Sequence, residues 1–560
     1  MSQLIECVPN FSEGRNPVVI KQITDAIESV ENVKLLNVDP GKDTNRTVVT
    51  FVGSPEAVVE AAFRGVKRAS EVIDMQKHKG EHPRFGATDV CPLVPVSNIT
   101  MEETVEYARK LAKRIGDELG IHVYCYEFAA QNEERRSLAN CRSGEYEGLP
   151  KKLQDPNWKP DFGPTAFNAK SGATAVSARN FLIAYNVNLN TTSTRRANSV
   201  AFDVREAGRV LREGDPVTGK VVKDKNGVAV RIPGKLRKVR AIGWFIKEYG
   251  VAQISMNLTD ITITPIHKAF EAVCESAQDR GMRVTGSELI GLIPLNAMLE
   301  AGKYFLRKQQ RSTGVSDEEL INIAVKSMGL DELAPFNPKE RIIEYQLRSD
   351  RSLLTDLSLE AFANETASES PAPGGGSVAA YVGSLGAALS GMVANLSSHK
   401  RGWDEHWKEF SDWAEKAKGF QNKLLELVDE DTDAFKRIME AFKMPKGTDS
   451  EKVVRSEAIQ TATLLAINVP LTLMETAYAS MEVIQAMAEH GNPNSVSDVG
   501  VGALCARTAV QGAYLNVLIN LGGLEDNVKS DELKHRAEGL LYRAEFKEQE
   551  ILKLVYEKIG

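Results

Sequence analysis

The sequence predicts an α+β half, built as two sheet-and-helix subdomains, followed by an all-α helical bundle. Three observations carry that reading. Before about residue 350, short β-branched runs alternate with amphipathic helical patterns; this texture occurs in two successive passes; and after residue 354 the strand signal disappears. At 560 residues the chain also exceeds what one hydrophobic core supports.

In the first pass Leu4–Val8, Val33–Val38, Thr47–Val52, Val90–Val96 and His122–Tyr126 read as strands, and Pro55–Ile73 and Met101–Leu119 as helices. The second pass has strands at Phe181–Val187, Val239–Ile246 and Ala252–Leu258 and a helix around His267–Ala277, with the break near Asn180. Between them Arg205–Arg240, rich in Lys, Arg, Gly and Asp, reads as a long charged β-hairpin or loop excursion. In the second half, Val378, Val382, Leu385, Leu389, Met392, Val393 and Leu396 recur at helical period. Gly383, Gly386, Ala387, Ser390 and Gly391 on a neighbouring face let another helix come close. Helical runs follow at about Trp413–Leu427, Asp433–Ala441, Val453–Met474, Val499–Leu521 and Asp531–Tyr556, and Pro470 should kink the third. The joint Arg348–Leu354 is short and polar, a linker that holds two domains close. The expected layout is residues 1–180 and 181–345 as the two subdomains, 346–353 as linker and 354–560 as the helical domain.

Lys+Arg 69 against Asp+Glu 76 gives a net charge of −7, which argues against a general nucleic-acid binder. The N-terminal stretch lacks the basic and apolar regions of a secretory signal, and no run approaches the roughly 18 uninterrupted apolar residues of a membrane span. The six cysteines are scattered without CxxC or metal-finger spacing, so free thiols and a cytoplasmic location are expected.

The densest chemical cluster is Lys77–Asp89, KHKGEHPRFGATD, a loop between a long helix and a strand. A histidine there suits proton transfer, because its unperturbed pKa of about 6.5 makes it acceptor and donor at neutral pH. His78 and His82 could instead be a metal pair, but the loop Gly and Pro spoil helical spacing and no third ligand is obvious. Solvated loop histidines are the plainer alternative. Gly214–Lys220 has phosphate-loop spacing but ends in Val221, without the Ser/Thr for magnesium. Asn10-Phe11-Ser12 is a formal glycosylation acceptor without meaning in a cytoplasmic chain. Pro164–Gly172 reads either as a connector or as a loop whose amides and hydroxyls bind a flat, polar-edged ligand. Pro373–Ser377 opens the first long helix, where free amides attract an anion or a polar heterocycle, or are simply capped. Val428–Phe435, VDEDTDAF, places acids at a predicted helix start, where they favour the dipole; crowded carboxylates can also raise one pKa and make a general acid.

Taken together, the segments ECVPNFSEGRN, NVDPGKDTNRTVVTFVG, HKGEHPRFGATDVCP, GEYEGLPKKLQ, DFGP, PKERIIEY, PAPGGGSVAA, LVDEDTDAF and YLNVLINL resemble the bifunctional formimidoyltransferase-cyclodeaminase family of histidine breakdown, almost end to end. The resemblance implies a transferase half of two subdomains at 1–180 and 181–345 and a cyclodeaminase at 354–560. It implies transfer of a formimino group from N-formimino-L-glutamate to tetrahydrofolate, then cyclisation and loss of ammonia to give 5,10-methenyltetrahydrofolate. His82 matches the family's transferase histidine and Asp431 its cyclodeaminase acid. Gly163, Pro164, Thr165, Ala166, Phe167, Asn168, Ala169, Lys170, Ser171 and Gly172 match its folate-binding loop, which varies at Thr165, Asn168 and Lys170. The excursion Arg205–Lys235 looks longer than the family's common form.

Tetrahydrofolate, with or without a polyglutamate tail, is then a co-substrate; no metal and no pyridoxal phosphate are expected, and a homo-oligomer is. His82 would take a proton from the attacking N5 and return it to the departing glutamate nitrogen. Asp39 would orient it, and Arg84 or a neighbouring lysine would hold the substrate carboxylates. Lys235, Arg237, Lys238 and Arg240 read as a solvated strand or as a holder for the folate tail. Asp431 would protonate the leaving amine, its pKa raised by Asp429 or by burial. The rivals are a helical half that is a methenyl-folate cyclohydrolase, and a folate-binding scaffold without catalysis.

Overall fold

The computed structural model describes residues 3–42, 44–80, 84–214, 218–347 and 353–560. Its contacts divide the chain into two units, residues 1–297 with 328–347, and residues 298–327 with 348–560.

The first unit opens with β1 (Leu4–Cys7), β2 (Asn10–Phe11), α1 (Pro17–Glu28), β3 (Val33–Gly41), β4 (Arg46–Gly53), α2 (Pro55–Val72), β5 (Thr88–Ser97), α3 (Met101–Leu119), β6 (His122–Glu127), α4 (Leu138–Cys141), α5 (Glu145–Lys152) and β7 (Ala173–Ala178). The strands form one sheet, ordered β1-β4-β2-β5-β7-β6, with β3 paired to β4 and β1 also to β5. Alternation decides what each face carries. Ile5, Cys7, Val49, Phe51, Cys91, Leu93, Val123 and Val176 pack with Ile23 and Ile27 of α1, Val58 and Val66 of α2, and Leu111 and Ile115 of α3. The opposite face is covered only in part, by Cys141, Leu149 and Leu153 around α4 and α5 against Tyr124 and Tyr126. Helix ends are capped from the sequence: Thr100 and Glu103 make a capping box on α3, and Asn16 caps α1 ahead of Pro17.

The second pass contains β8 (Ile183–Leu189), α6 (Thr194–Val204), β9 (Arg209–Val210), β10 (Arg231–Ile232), β11 (Val239–Ile246), β12 (Val251–Leu258), α7 (Ile266–Gln278) and β13 (Val284–Ile290). Its sheet runs β11-β12-β8-β13, antiparallel throughout. Helix α6 lies so close that a side chain at Gly243 would meet the backbone of Asn198 at 2.3 Å, and the Asn198 amide hydrogen-bonds both backbone groups of Gly243. The charged excursion is a small hairpin of β9 and β10, extended by bridges Arg212–Val221 and Lys223–Ala229.

Then come α8 (Leu295–Lys308), α9 (Asp317–Met328), α10 (Pro338–Arg341) and α11 (Ile343–Leu347). By contact, residues 298–327 group with the helical unit. The loop between α8 and α9 accounts for this. The Thr313 amide donates to the Ser411 hydroxyl at 3.0 Å, Asn395 donates to the Gly314 carbonyl at 3.0 Å, and a Cβ on Gly314 would strike the Ala414 backbone. Most of the expected linker, residues 348–352, lies outside the described residues.

The helical unit adds α12 (Leu359–Thr366), α13 (Gly375–Ser398), α14 (Trp407–Lys443), α15 (Asp449–His490), α16 (Val496–Leu521) and α17 (Asn527–Ile559). By length and composition α13 could cross a membrane, but it is packed between α14, α15 and α16. Its small residues do what their spacing suggested. Gly383 faces Ala509, Gly386 faces Gly502, and Ala379 faces Gly512, so α13 and α16 run antiparallel in close contact.

One helical expectation needs correction. The acids of Val428–Asp433 do not start a helix; α14 runs unbroken for 37 residues through them. Pro470 lies inside α15, which is 42 residues long and runs on past Met474. A proline removes the N–H that would serve the carbonyl four residues earlier, here Ala466. That carbonyl instead accepts from the Asn520 amide of α16 at 2.8 Å. Asn520→Ala should strip the buried carbonyl of its donor and cost about 1–3 kcal/mol, read by denaturant unfolding; no loss would show that water serves it equally well.

Candidate active site

The face of the first sheet that α4 and α5 leave bare forms the floor of a cavity of about 450 Å³. Glu6 and Val8, then Asp39, Arg46, Val48, Val90, Pro92 and Tyr126 line it at alternate strand positions. The second sheet supplies the other wall through a single register row, Arg240 on β11, Asn257 on β12, Ala184 on β8 and Ile290 on β13. Arg240 thus borders a cavity, whereas Lys235 pairs with Glu275 outside it.

The electrostatics are uneven. Asp89 is 0% exposed and receives Arg46 at 3.1 Å, Arg142 at 2.7 Å and the Phe85 amide at 3.1 Å. Burial draws the Arg46 guanidinium down to about 10. Burial pushes the Glu6 carboxyl up to about 7, with Arg179 opposing the rise and Glu344 adding to it. Partial burial also raises Asp39, against the pull of Arg341.

The loop carrying His82 is anchored on both sides, but His82 itself, with Glu81 and Pro83, lies outside the described residues. On one side the Asn45 amide donates to the Lys79 carbonyl at 2.9 Å, and Gly80 sits so tightly on the Thr44 carbonyl that a Cβ would come within 2.4 Å. His78 is held at Nε2 by the Asn45 carbonyl at 2.9 Å and accepts from Arg84 Nε at Nδ1, which fixes a neutral tautomer. Burial chiefly, and Arg84 with it, lowers its pKa. On the other side Arg84 is not available for a substrate carboxylate. Its guanidinium grips Glu147 through both terminal nitrogens, at 3.0 and 2.7 Å, and Glu145 at 3.3 Å.

The segment 163–172 meets this loop directly. Backbone bonds join Met75 to Lys170, Ala87 to Ser171 and Ala173 to Phe85, and Tyr146 Oη donates to the Ala169 carbonyl at 2.6 Å. Its hinge glycines have positive φ, +88° at Gly163 and +66° at Gly172, and each packs on backbone that a Cβ would strike. Pro164, Thr165, Ala166, Phe167 and Lys170 are exposed, Asn168 and Ala169 half-buried, and Ser171 and Gly172 buried. Buried His122, read from the sequence only as the start of a strand, sets the loop's path: Nδ1 donates to the Pro164 carbonyl at 2.6 Å and Nε2 accepts the Asn168 amide at 3.0 Å. None of residues 163–172 is among the residues that line the cavity, and the segment is joined by backbone bonds to Phe85 and Ala87.

In the helical unit Asp431 projects from the middle of α14 onto the first turn of α13. Its carboxyl lies where a Cβ on Gly376 would be, 2.2 Å away, so only glycine fits there. The Ser377 hydroxyl is 3.1 Å from Asp431 Oδ2 and 2.9 Å from the Val428 carbonyl. A hydroxyl has one hydrogen. Given to Val428, it leaves the Ser377 oxygen to accept from a protonated Asp431. Burial raises the Asp431 pKa, against the bonds from Ser377 that lower it. Asp429, expected as a contributor, points elsewhere: it accepts from the Leu354 amide at 2.7 Å and the Thr355 hydroxyl at 2.9 Å. The Asn516 amide of α16 approaches Gly375 beside this site. Among the described residues no group of three or more His, Cys, Asp or Glu side chains is placed to hold a metal ion.

The cavity liners Glu6, Arg142, Arg179 and Tyr126 were not singled out from the sequence. The available signal was one polar residue interrupting an apolar strand, as Glu6 does between Ile5 and Cys7.

Comparison with known proteins fits this two-part layout. The family profile "Formiminotransferase domain, N-terminal subdomain" matches residues 4–179, "Formiminotransferase domain" matches 184–348, and "Formiminotransferase-cyclodeaminase" matches 358–539. A formimidoyltransferase-cyclodeaminase of Mus musculus is 44% identical over 547 residues, covering 97% of each chain. A glutamate formimidoyltransferase of Thermoplasma acidophilum is 44% identical over 306 residues, 54% of this chain and 92% of its own. A methenyltetrahydrofolate cyclohydrolase of Methylorubrum extorquens is 36% identical over 203 residues, 36% of this chain and 98% of its own. With both halves matched and nearly the full length aligned, the chain belongs to the formimidoyltransferase-cyclodeaminase family.

Proposed function

We infer that this chain is a bifunctional folate enzyme that transfers the formimino group of formiminoglutamate to tetrahydrofolate and then closes the ring with loss of ammonia. The observation that carries it is the full-length match to relatives named for both activities, over a chain whose two halves match the transferase and cyclodeaminase profiles in turn.

In our reading N5 of tetrahydrofolate adds to the amidine carbon, His82 accepts the N5 proton, and the same imidazole protonates the departing glutamate nitrogen. With Arg84 engaged by Glu145 and Glu147, we assign the substrate carboxylates to Arg179 and Arg240 at the cavity instead. Residues 163–172 take the folate beyond the pterin. In the second step N10 adds to the formimino carbon and its proton passes to the imino nitrogen, leaving an amine on that carbon; the neutral Asp431 carboxyl then gives its proton to this amine, which leaves as ammonia. The methenyl product is a cation, and the Asp431 carboxylate left behind stabilises it.

The cyclohydrolase relative favours a second reading of the helical half alone, hydrolysis of the methenyl bridge. Supplying 5-formiminotetrahydrofolate and, in a separate assay, 5,10-methenyltetrahydrofolate decides between them. Ammonia release matching methenyl formation at its absorbance supports the deaminase; methenyl consumption without ammonia supports the cyclohydrolase.

We further propose a place in histidine degradation, a cytoplasmic location and a homo-oligomeric state. Six free cysteines, four of them buried, support a reducing compartment. Self-association is supported by the apolar side chains that α13 and α16 leave exposed, Leu385, Met392, Leu396, Val501, Leu504 and Leu515.

A further inference from the structure

Of the cavity's lining carboxylates, Asp39 is exposed and near the β3–β4 turn, while Glu6 is 4% exposed at the other end. On β4 their levels are Val48 and Val52, because Asp39 pairs with Val48 and Glu6 with Val52. Four strand steps separate those levels, about 13 Å. The Val48 level also holds Asn10 and Val90, the latter next in the chain to residues 84–89. A flat bicyclic ring with one edge at the reacting end and a hydrogen bond at the other spans that distance.

Val8 and Pro92 lie between the two levels and, with Phe181 and Leu182, give the cavity apolar walls suited to ring faces. A buried carboxylate set among them needs donors, and two parallel ones satisfy both its oxygens. A pterin offers such a pair along one edge, N3–H and the 2-amino group, flanked by N1 and the 4-oxo group. N5 lies beyond the ring fusion, in the other ring.

We propose that Glu6 is a specificity-determining residue of the transferase site, accepting the N3–H and 2-amino hydrogens of the pterin and so orienting N5 toward the level of Asn10, Val48 and Val90. The proposal rests on the functional reading above and adds to it the residue that recognises the folate ring.

Binding through both oxygens requires the ionised carboxylate. With the empty site's Glu6 raised to about 7 by burial, folate binding releases a proton at and below that pH. The charged and titratable groups around it are Arg179 after β7, Glu344 on α11, Tyr126 on β6, Cys7 beside it on β1, and Asp39 and Arg46 along the floor.

The test follows glutamate release by the full-length protein while tetrahydrofolate, or an analogue lacking the 2-amino group, is varied. Glu6→Gln should raise the KM for tetrahydrofolate roughly 30-fold while kcat changes by less than about threefold. The analogue should cost the wild-type protein a similar factor and cost Glu6→Gln nothing further, since both changes remove one interaction. Wild-type KM should fall about tenfold per pH unit up to pH about 7 and then level, and be flat in Glu6→Gln. A KM within about threefold of wild type in Glu6→Gln overturns the proposal, as does equal weakening of both folates. Should Glu6→Gln not fold, the wild-type protein decides alone, through the cost of the missing amino group and the pH profile. Wild-type protein that releases no glutamate would instead overturn the transferase reading itself.

Discussion

Asp431→Asn is expected to slow ammonia release by roughly 10²- to 10⁴-fold, the usual worth of a positioned general acid. The substitution keeps the shape and can still donate to Ser377, so the first turn of α13 should hold and thermal unfolding should stay near that of the wild type. What it removes is the only proton this side chain can give. Glutamate release from the other half should continue unchanged, and 5-formiminotetrahydrofolate should accumulate. The pH dependence has a definite sign. The acid works while protonated, and burial raises its pKa above the ordinary carboxylate value, so the cyclodeaminase rate should fall on the alkaline side of that raised value. Asp429→Asn serves as the control: its carboxylate is committed to Leu354 and Thr355, and ammonia release should persist. Ammonia release by Asp431→Asn at the wild-type rate would remove the assignment.

The second large effect is expected at His82. His82→Gln should lower glutamate release by roughly 10²- to 10⁴-fold, because one imidazole both accepts and returns the proton. Ammonia release from added 5-formiminotetrahydrofolate should be untouched, which separates loss of chemistry from loss of the fold. His78→Gln should be far milder. That ring spends both nitrogens on Asn45 and Arg84 and acts only by holding the loop. Equal losses from the two variants would mean that the loop, rather than one histidine, was the sensitive element.

Where the sequence was legible, one periodicity belonged to one element. The alternation through Thr47–Val52 and the small-residue stripe of Gly383, Gly386 and Gly391 each state which face is packed, and the structure packs those faces. Reading failed where partners lie far apart in the chain. VDEDTDAF looks like a helix start because acids favour one, but its acids are engaged by Leu354, Thr355 and Ser377 and interrupt nothing. Arg84 looks free in its loop, yet its carboxylates stand 61 and 63 residues away. Glu6 is a single acid in an apolar strand, and nothing local says whether it meets solvent or a cavity. The motif around His82 was the plainest chemical signal in the chain, because its density of charge and breakers is local by nature.

The carbonyl of Ala466 shows what such distant partnership means for assembly. Until α16 is in place, α15 has a gap in its ladder that no residue of its own can close. The proline that opens the gap and the asparagine that fills it stand on different helices, so a shift of α16 along α15 by one turn would part donor from carbonyl.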